Sequence, residues 1–283
     1  MKKIRKFARK AAKFILSSTN DKKVEVNISE IQYGEILKNR NIIVTGGGSG
    51  IGLSIAKKFD SEKANVVIIG RREEKLKKAV LNSNIKYIVY DLNDIDKLDD
   101  LINNCRKKLN GEIDTIVCNA GISLHESDIT NVTKETFDMQ FNTNFRANYF
   151  LCKKFSEYYL KSKQKSGNIL VISSETGNQC YDIPYGLTKS SLNSLVRALS
   201  RRFYKCGLRV NAIAPGVTES CMTKEYASVT NGNYYRDCAS DRIFLPSEVA
   251  EVAAFIISDA AKCISGEIIH TNAGNHLNPY WDD

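Results

Sequence analysis

Short runs of Val and Ile alternate with longer amphipathic stretches over most of the chain. The apolar runs lie at residues 41–44, 65–70, 85–90, 113–118, 168–173, 208–213 and 266–271. Helical patterns separate them at about 50–60, 73–82, 95–109, 134–162, 185–205 and 246–260. Uninterrupted Val and Ile runs are typical of strands that helices cover on both faces, and the alternation favours parallel pairing. The pattern therefore predicts one α/β domain with a doubly wound, parallel, seven-stranded sheet.

A glycine-rich turn follows the first predicted strand directly. The sequence TGGGSGIG at 45–52 then runs into the helical pattern LSIAKKF. Gly46 suits a tight turn, Gly50 permits close approach of a pyrophosphate, and Gly52 permits close packing of helix and strand. The free N–H groups at the start of such a helix bind phosphates. This strand–turn–helix context predicts dinucleotide binding in a Rossmann-type fold.

The net charge of +9 is concentrated at the start of the chain of 283 residues. Residues 1–13 carry seven Lys or Arg and no acid, so the rest of the chain is nearly neutral. This distribution argues against a domain that binds nucleic acid, and no such partner is expected. We divide the chain into a basic amphipathic tail and lead-in at 1–39 and a dinucleotide-binding domain at 40–283.

The basic tail is predicted to form an amphipathic helix. At 100° per residue, its apolar side chains fall on one side and its basic ones on the other; the apolar ones are Ile4, Phe7, Ala8, Ala11, Ala12, Phe14 and Ile15. Such a helix suits an anionic membrane surface, which residues 1–16 would contact. An organelle transit peptide, and a helix docked on the enzyme's own body or on a partner, remain alternatives. We expect a cytoplasmic protein, peripheral on the inner membrane face.

The eight cysteines and three histidines do not form a metal-binding pattern. There is no C-x-x-C pair, and several cysteines lie inside apolar runs, as Cys118 does. They are expected to be small buried side chains in a reducing compartment, and no metal site is expected.

Tyr185 and Lys189 stand four residues apart at the start of a helical pattern, so both face one side of the helix. A phenol has a pKa of about 10, and a nearby ammonium lowers it. The pair therefore predicts a general acid and base at Tyr185. The order of these motifs, with NAG at 119–121 and NAIAPG at 211–216, resembles the short-chain dehydrogenase/reductase family over residues 40–275.

The resemblance implies a catalytic set of Asn144, Ser174, Tyr185 and Lys189. Ser174 would orient the substrate oxygen, with Ser173 the less favoured neighbour. Asn144 would hold a water in the proton relay; its alternative is a buried asparagine bonded to backbone. The alternative for Ser174 is a turn residue at a strand end. Ser174 and Tyr185 are closer in sequence than in many family members, which predicts a short intervening loop.

The resemblance also implies the residues that bind the cofactor. Asp91 would lie near the adenine, and its alternative is a helix cap. The full set is Thr45, Gly46, Ser49, Gly50, Ile51, Gly52, Arg71, Arg72, Asp91, Leu92, Asn119, Ala120, Gly121, Tyr185, Lys189, Pro215, Gly216, Val217 and Ser220.

NADP(H) is predicted to be preferred over NAD(H). The second predicted strand ends at Gly70, and Arg71 and Arg72 follow where NAD-specific folds carry an acid. The alternative is that RREEKLKK is a solvated helix start. Ser49 weakens the prediction, because NADP-using relatives often have Lys or Arg there.

The predicted function is interconversion of a carbonyl and a secondary alcohol by hydride transfer. In layout the chain resembles 3-oxoacyl-carrier-protein reductases, which implies a 3-oxoacyl thioester substrate. Residues 217–240 are polar and rich in tyrosine, which disfavours a steroid. The alternatives are a reductase of a sugar-like substrate in membrane-associated polysaccharide synthesis, and a catalytically silent nucleotide-sensing or scaffold protein. The resemblance further implies a homotetramer or homodimer.

Overall fold

Seven parallel strands form a single sheet in the order β3-β2-β1-β4-β5-β6-β7. The computed structural model describes residues 34–223 and 240–277, so the basic tail and the tyrosines at 226, 234 and 235 lie outside the described residues. The strands are β1 (Asn41–Thr45), β2 (Asn65–Gly70), β3 (Lys86–Val89), β4 (Thr115–Cys118), β5 (Gly167–Ile172), β6 (Leu208–Pro215) and β7 (Ile268–Thr271). This confirms the predicted parallel α/β sheet.

Helices follow the strands as the amphipathic stretches predict. They are α1 (Gly50–Ser61), α2 (Glu73–Ala79), α3 (Leu98–Leu109), α4 (Lys134–Gln140), α5 (Ala147–Ser162), α6 (Pro184–Phe203) and α7 (Pro246–Ile257). The stretch predicted as one helix at 134–162 is divided by a π-helical turn, Phe141–Arg146. Such single turns are often found at functional sites.

Two hydrophobic layers enclose the sheet, because successive strand residues point to opposite faces. Ile43 faces the layer that contains α3, α5 and α6. Its neighbours Ile42 and Val44 face the layer that contains α1, α2 and α7. The central strands are therefore covered on both faces, and the ends of the strands are where a sheet of this kind binds ligands.

The described part of the lead-in packs on the domain. Leu37 is fully buried, and its N–H donates to the carbonyl of Glu62 at 3.2 Å. The division of the chain at residue 39 stays a prediction. Across residues 34–223 and 240–277, none of the helices combines the length and apolar character that crossing a bilayer requires.

Candidate active site

Glycines shape the turn between β1 and α1 at the carboxyl end of the sheet. Gly46 and Gly50 have φ angles of +65° and +54°, which other residues adopt only with strain. A Cβ at Gly52 would lie 2.4 Å from Asn119 Nδ2 and 2.6 Å from the Gly46 carbonyl oxygen. A Cβ at Gly50 would meet nothing closer than Ser220 Cβ at 3.5 Å. Gly52 is thus required by packing, whereas Gly50 faces open space.

Thr45 and Asn119 join the ends of the two central strands. The buried Thr45 hydroxyl donates to the Val117 carbonyl at 3.1 Å and accepts from the N–H groups of Asn119 and Ala120 at 3.0 and 3.2 Å. Asn119 Nδ2 donates to the Thr45 carbonyl at 2.9 Å. These bonds hold the glycine turn and the loop after β4 in one arrangement.

A cleft of about 360 Å³ runs along this edge of the sheet and collects most of the predicted site residues. Its wall includes Gly46, Ser49, Gly50, Ile51, Arg71, Arg72, Asp91, Leu92, Asn119, Ala120, Gly121, Tyr185, Lys189 and Ser220. The remaining predicted residues do not line it; they are Thr45, Gly52, Asn144, Ser174, Pro215, Gly216 and Val217. Contact between a cofactor and any of these residues stays a prediction.

The residues at the end of β6 are held by packing. A Cβ at Gly216 would lie 2.9 Å from Asn272 Cβ and 3.1 Å from a ring atom of Phe244. Val217 accepts the Phe244 N–H at 2.8 Å. This bond holds the chain just after β6 against the segment that leads into α7.

Tyr185 and Lys189 lie together in the cleft wall, in the first turns of α6, which begins at Pro184. Lys189 Nζ lies 5.5 Å from the centroid of the Tyr185 ring and donates to the Ile172 carbonyl at 2.9 Å. Lys189 is only 5% exposed. Burial disfavours its charged form and lowers the pKa of Lys189 to about 8.

Asn144 lies in the π-helical turn and is fully buried. Its side chain bonds the backbone of Ile122 twice, accepting from the N–H and donating to the carbonyl, both at 2.8 Å. A Cβ at Gly121 would lie 3.2 Å from Asn144 Oδ1 and 3.7 Å from Lys189 Nζ, so the two side chains are neighbours. Asn144 is thus a buried asparagine bonded to backbone, as the alternative interpretation of this residue predicted. Its role in a water relay stays a prediction.

The two serines after β5 differ in their surroundings. Ser173 Oγ donates to Asn193 Oδ1 at 2.6 Å and is turned towards α6. Ser174 Oγ accepts from the N–H of Thr176 at 3.3 Å and from its hydroxyl at 3.0 Å. Ser173 lines the cleft, but it donates its proton within the protein; Ser174 does not line the described cleft, but its proton is not used by these bonds, so it stays the candidate donor to a substrate.

Basic side chains gather at the end of the cleft beside β2. Arg71 forms a long ion pair with Asp91, at 3.8 Å. Lys75, in the first turn of α2, also lines the cleft and was not predicted from the sequence. Asp91 is the one acid among the described lining residues. Glu73 does not line the cleft, and it bonds Lys77 at 3.4 Å and the Tyr87 hydroxyl at 3.3 Å.

Asp91 caps a local turn and not the following helix. Its Oδ1 accepts from the N–H of Asn93 at 3.0 Å, whereas α3 has Lys97 at its N-cap. The half-exposed carboxylate remains available in the cleft wall. Other lining residues that the sequence analysis missed are Tyr90, Asn93, Ile122, Thr143, Cys221 and Met222. Several stand one to three positions from predicted ones, so strand ends alone would have indicated them.

Comparison with known proteins identifies the family. A family model described as enoyl-(acyl carrier protein) reductase matches residues 46–276. The chain belongs to the short-chain dehydrogenase/reductase family. A 3-oxoacyl-[acyl-carrier-protein] reductase FabG of Chlamydia trachomatis is 30% identical over 247 residues, which cover 84% of this chain and 98% of that protein. General stress protein 39 of Bacillus subtilis is 29% identical over 248 residues, 85% of this chain and 86% of that protein.

Solved structures that are similar to this short-chain dehydrogenase/reductase share its fold. A 3-ketoacyl-(acyl-carrier-protein) reductase from Brucella melitensis, complexed with NADH, gives a TM-score of 0.78 at 24% identity, covering 85% of this chain and 100% of that one. A short-chain type dehydrogenase/reductase from Mycobacterium ulcerans gives 0.76 at 26% identity, covering 86% and 91%.

Family membership makes the protein an oxidoreductase of carbonyl and alcohol groups that uses a nicotinamide cofactor. The cleft fits such a cofactor. The open space beside Gly50 is a cradle that any side chain would fill, at the N-terminus of α1. The basic end beside β2 and the Tyr185–Lys189 pair lie in the wall of the same cleft.

Proposed function

We propose that the protein is an NADP(H)-dependent reductase of a ketone group in a 3-oxoacyl thioester. The observation that carries the proposal is the presence of Tyr185, Lys189 and the glycine turn in the wall of one cleft. The name of the relative from Chlamydia trachomatis, a 3-oxoacyl-[acyl-carrier-protein] reductase, supports the substrate class.

In the proposed reduction each catalytic side chain has a separate role. A nicotinamide cofactor held by the glycine turn and the basic end of the cleft would supply the hydride that adds to the carbonyl carbon. Tyr185 donates its phenol proton to the oxygen, so that a C–H bond and an O–H bond replace the C=O π bond. Lys189, when protonated, stabilises the phenolate that remains. Ser174 donates a hydrogen bond to the substrate oxygen, and Asn144 supports return of a proton through water. The presence of the whole set disfavours the silent-scaffold alternative.

An assay of the wild type against the Tyr185→Phe variant tests this function. The wild type should oxidise NADPH when a 3-oxoacyl thioester is added. Tyr185→Phe should lose turnover by about 100-fold or more, because the proton donor is absent. NADPH affinity should stay within about threefold, since the pyrophosphate is held by the glycine turn. Turnover near that of the wild type in Tyr185→Phe would refute the assigned mechanism.

The preference for NADP(H) rests on charge at the end of the cleft beside β2. Arg71, Arg72 and Lys75 line it, and the nearest acid of α2, Glu73, is engaged by Lys77 and Tyr87. A 2′-phosphate would gain charge-assisted bonds here, with Arg71 the strongest candidate. The ion pair to Asp91 is long enough to be exchanged for a phosphate.

Variants at Arg71, two residues before α2, and at Lys75 within α2 test the preference. Arg71→Ala should lower kcat/KM for NADPH by about tenfold or more while leaving NADH nearly unchanged, and Lys75→Ala should do the same more weakly. Lys78→Ala is the matched control, because Lys78 is exposed on α2 but does not line the cleft. Equal kcat/KM for the two cofactors in the wild type would overturn the preference, as would an unchanged preference in Arg71→Ala.

For the basic tail we propose a membrane-surface role that places a cytoplasmic enzyme at the inner membrane face. Residues 1–16 support this role, because a helix there would have an apolar side and seven Lys or Arg on the opposite side. Such a location also suits the alternative of a sugar-like substrate in polysaccharide synthesis. Full-length protein should float with anionic liposomes, and a chain starting at residue 21 should not. Equal flotation of both, or of neither, would rule out the anchor.

We also propose assembly into a homodimer or homotetramer through the helices that follow β4 and β5. Large apolar side chains are exposed there, including Tyr149 and Leu160 on α5 and Leu187 on α6. A monomer gains nothing from exposing them, whereas a second copy would bury them.

A further inference from the structure

A buried carboxylate stands next to Ser174 and connects it to a remote part of the chain. Glu175 is 7% exposed, and its Oε2 accepts from the side-chain amides of Asn272 at 2.9 Å and Asn275 at 3.1 Å. Asn272 is fully buried and follows β7 directly. We call residues 174–178 the serine turn and residues 272–276 the closing segment.

A second connection runs parallel to the first. At the other end of the serine turn, the Asn178 amide bonds the ring of His270 in β7 and also accepts from Asn193 Nδ2 at 3.1 Å. The His270 ring stacks on His276 with centroids 3.6 Å apart. His276 in turn lies 3.0 Å from Asn272 Oδ1. The serine turn is therefore fastened to β7 and the closing segment at both of its ends.

The fastened turn presents Ser174 in a defined way. Both contacts of its hydroxyl oxygen within the turn are donations from Thr176, one from the N–H and one from the hydroxyl. An oxygen that already accepts twice has its proton left to donate. A substrate carbonyl needs a donor, so this arrangement suits reduction.

The other side of the serine turn lies against α6, the helix that carries Tyr185 and Lys189. A Cβ at Gly177 would lie 2.8 Å from Asn193 Nδ2 and 3.0 Å from the backbone carbon of Lys189. The turn is thus confined between α6 and the closing segment. If the Glu175 bonds are removed, the turn keeps its contact with α6 and the Asn178–His270 bond, but it loses its attachment to the closing segment next to Ser174.

We infer that Glu175 is a positioning residue: by anchoring the serine turn to the closing segment, it sets the place and direction from which Ser174 donates to the substrate. The inference rests on the proposed function for its kinetic consequence. Glu175 itself does not line the described cleft. Its effect on catalysis is therefore indirect, and the adjacent Ser174 is the residue through which it acts in this proposal.

Kinetics of single and double variants test the inference. Glu175→Ala should lower kcat by about tenfold or more with little change in NADPH affinity, because the donor to the developing oxyanion is misplaced. Glu175→Gln should restore kcat to within about threefold of the wild type, since its amide oxygen can accept the same two bonds. Asn275→Ala, which removes one bond, should give a smaller loss. Glu267→Gln, at an exposed acid just before β7, is the matched control and should have no effect.

The decisive comparison uses Ser174→Ala as a second background. Because Glu175 acts through Ser174, Glu175→Ala should cost no further kcat once the serine hydroxyl is absent. An equal loss in both backgrounds would show a merely structural role and would overturn the inference.

Amide hydrogen exchange separates failure of this inference from failure of the proposed function. Peptides that cover residues 173–180 should exchange faster in Glu175→Ala than in the wild type or in Glu267→Gln. If the wild type reduces no carbonyl substrate, the proposed function fails and exchange alone decides whether the anchor exists. Unchanged exchange would overturn the anchor, whatever the activity.

Discussion

Lys189 is placed where two requirements oppose each other. In the proposed mechanism it must carry charge to stabilise the Tyr185 phenolate, yet it is 5% exposed. Among the described residues its ammonium donates one hydrogen bond, to the Ile172 carbonyl at 2.9 Å, and forms no ion pair. Burial lowers the pKa of Lys189 to about 8, so the charge of its side chain changes at a pH only slightly above neutrality. The residue therefore links activity to pH.

Carbonyl reduction should weaken as pH rises through about 8, where Lys189 loses its proton. Neutral lysine no longer stabilises the phenolate, so kcat/KM, which reports groups of the free enzyme, should decline above this pH. Initial rates of NADPH oxidation from pH 6 to pH 10 would measure this. In Lys189→Arg, whose side chain stays charged, the decline near pH 8 should disappear even if the rate is lower. A decline at the same pH in that variant would assign it to another group.

At the scale of elements, Gly50 in the glycine turn is expected to matter more for cofactor binding than for the stability of the fold. Gly50→Leu should abolish NADPH binding, because its side chain would enter the cleft beside Ser220, where a pyrophosphate must approach. The φ of +54° adds a cost of about 1–2 kcal/mol, so the melting temperature should fall without loss of the fold. Titration of NADPH fluorescence and a thermal melt would measure both. Retained NADPH affinity would show that the turn does not hold the pyrophosphate.

The elements could be predicted from sequence because periodicity encodes burial. Strand β2 and helix α3 lie within three residues of their predicted bounds, and Tyr185 and Lys189 share a face as four-residue spacing requires. The π-helical turn at Phe141–Arg146 was not predicted, since one extra residue in a turn leaves the apolar pattern readable as a single helix. Glu175 was missed for another reason: its partners stand near the other end of the domain, and no local pattern reports such a pairing.

At the scale of the whole molecule, several large apolar side chains of the described helices are exposed. Tyr149 and Leu160 on α5 and Leu187 on α6 are 42%, 49% and 40% exposed. Tyr149→Glu should therefore shift sedimentation towards the monomer, because a charge buried in the interface between copies is costly. Leu81→Glu, at an exposed leucine after α2, is the matched control and should sediment as the wild type. A wild type that sediments as a monomer across micromolar concentrations would refute assembly.

The bond between Glu175 and Asn272 also has a consequence for synthesis on the ribosome. The two residues are 97 positions apart, and Asn272 follows the last strand of the sheet. At about 5–20 residues per second, the ribosome adds that length in roughly 5–20 s. Early in this interval Tyr185 and Lys189 are added to a chain that already contains the glycine turn, while the carboxylate beside Ser174 still awaits its partner. A nascent chain can therefore begin to fold around its central strands well before Glu175 meets its partner. On the proposed role of Glu175, full activity must wait until β7 and the closing segment have docked.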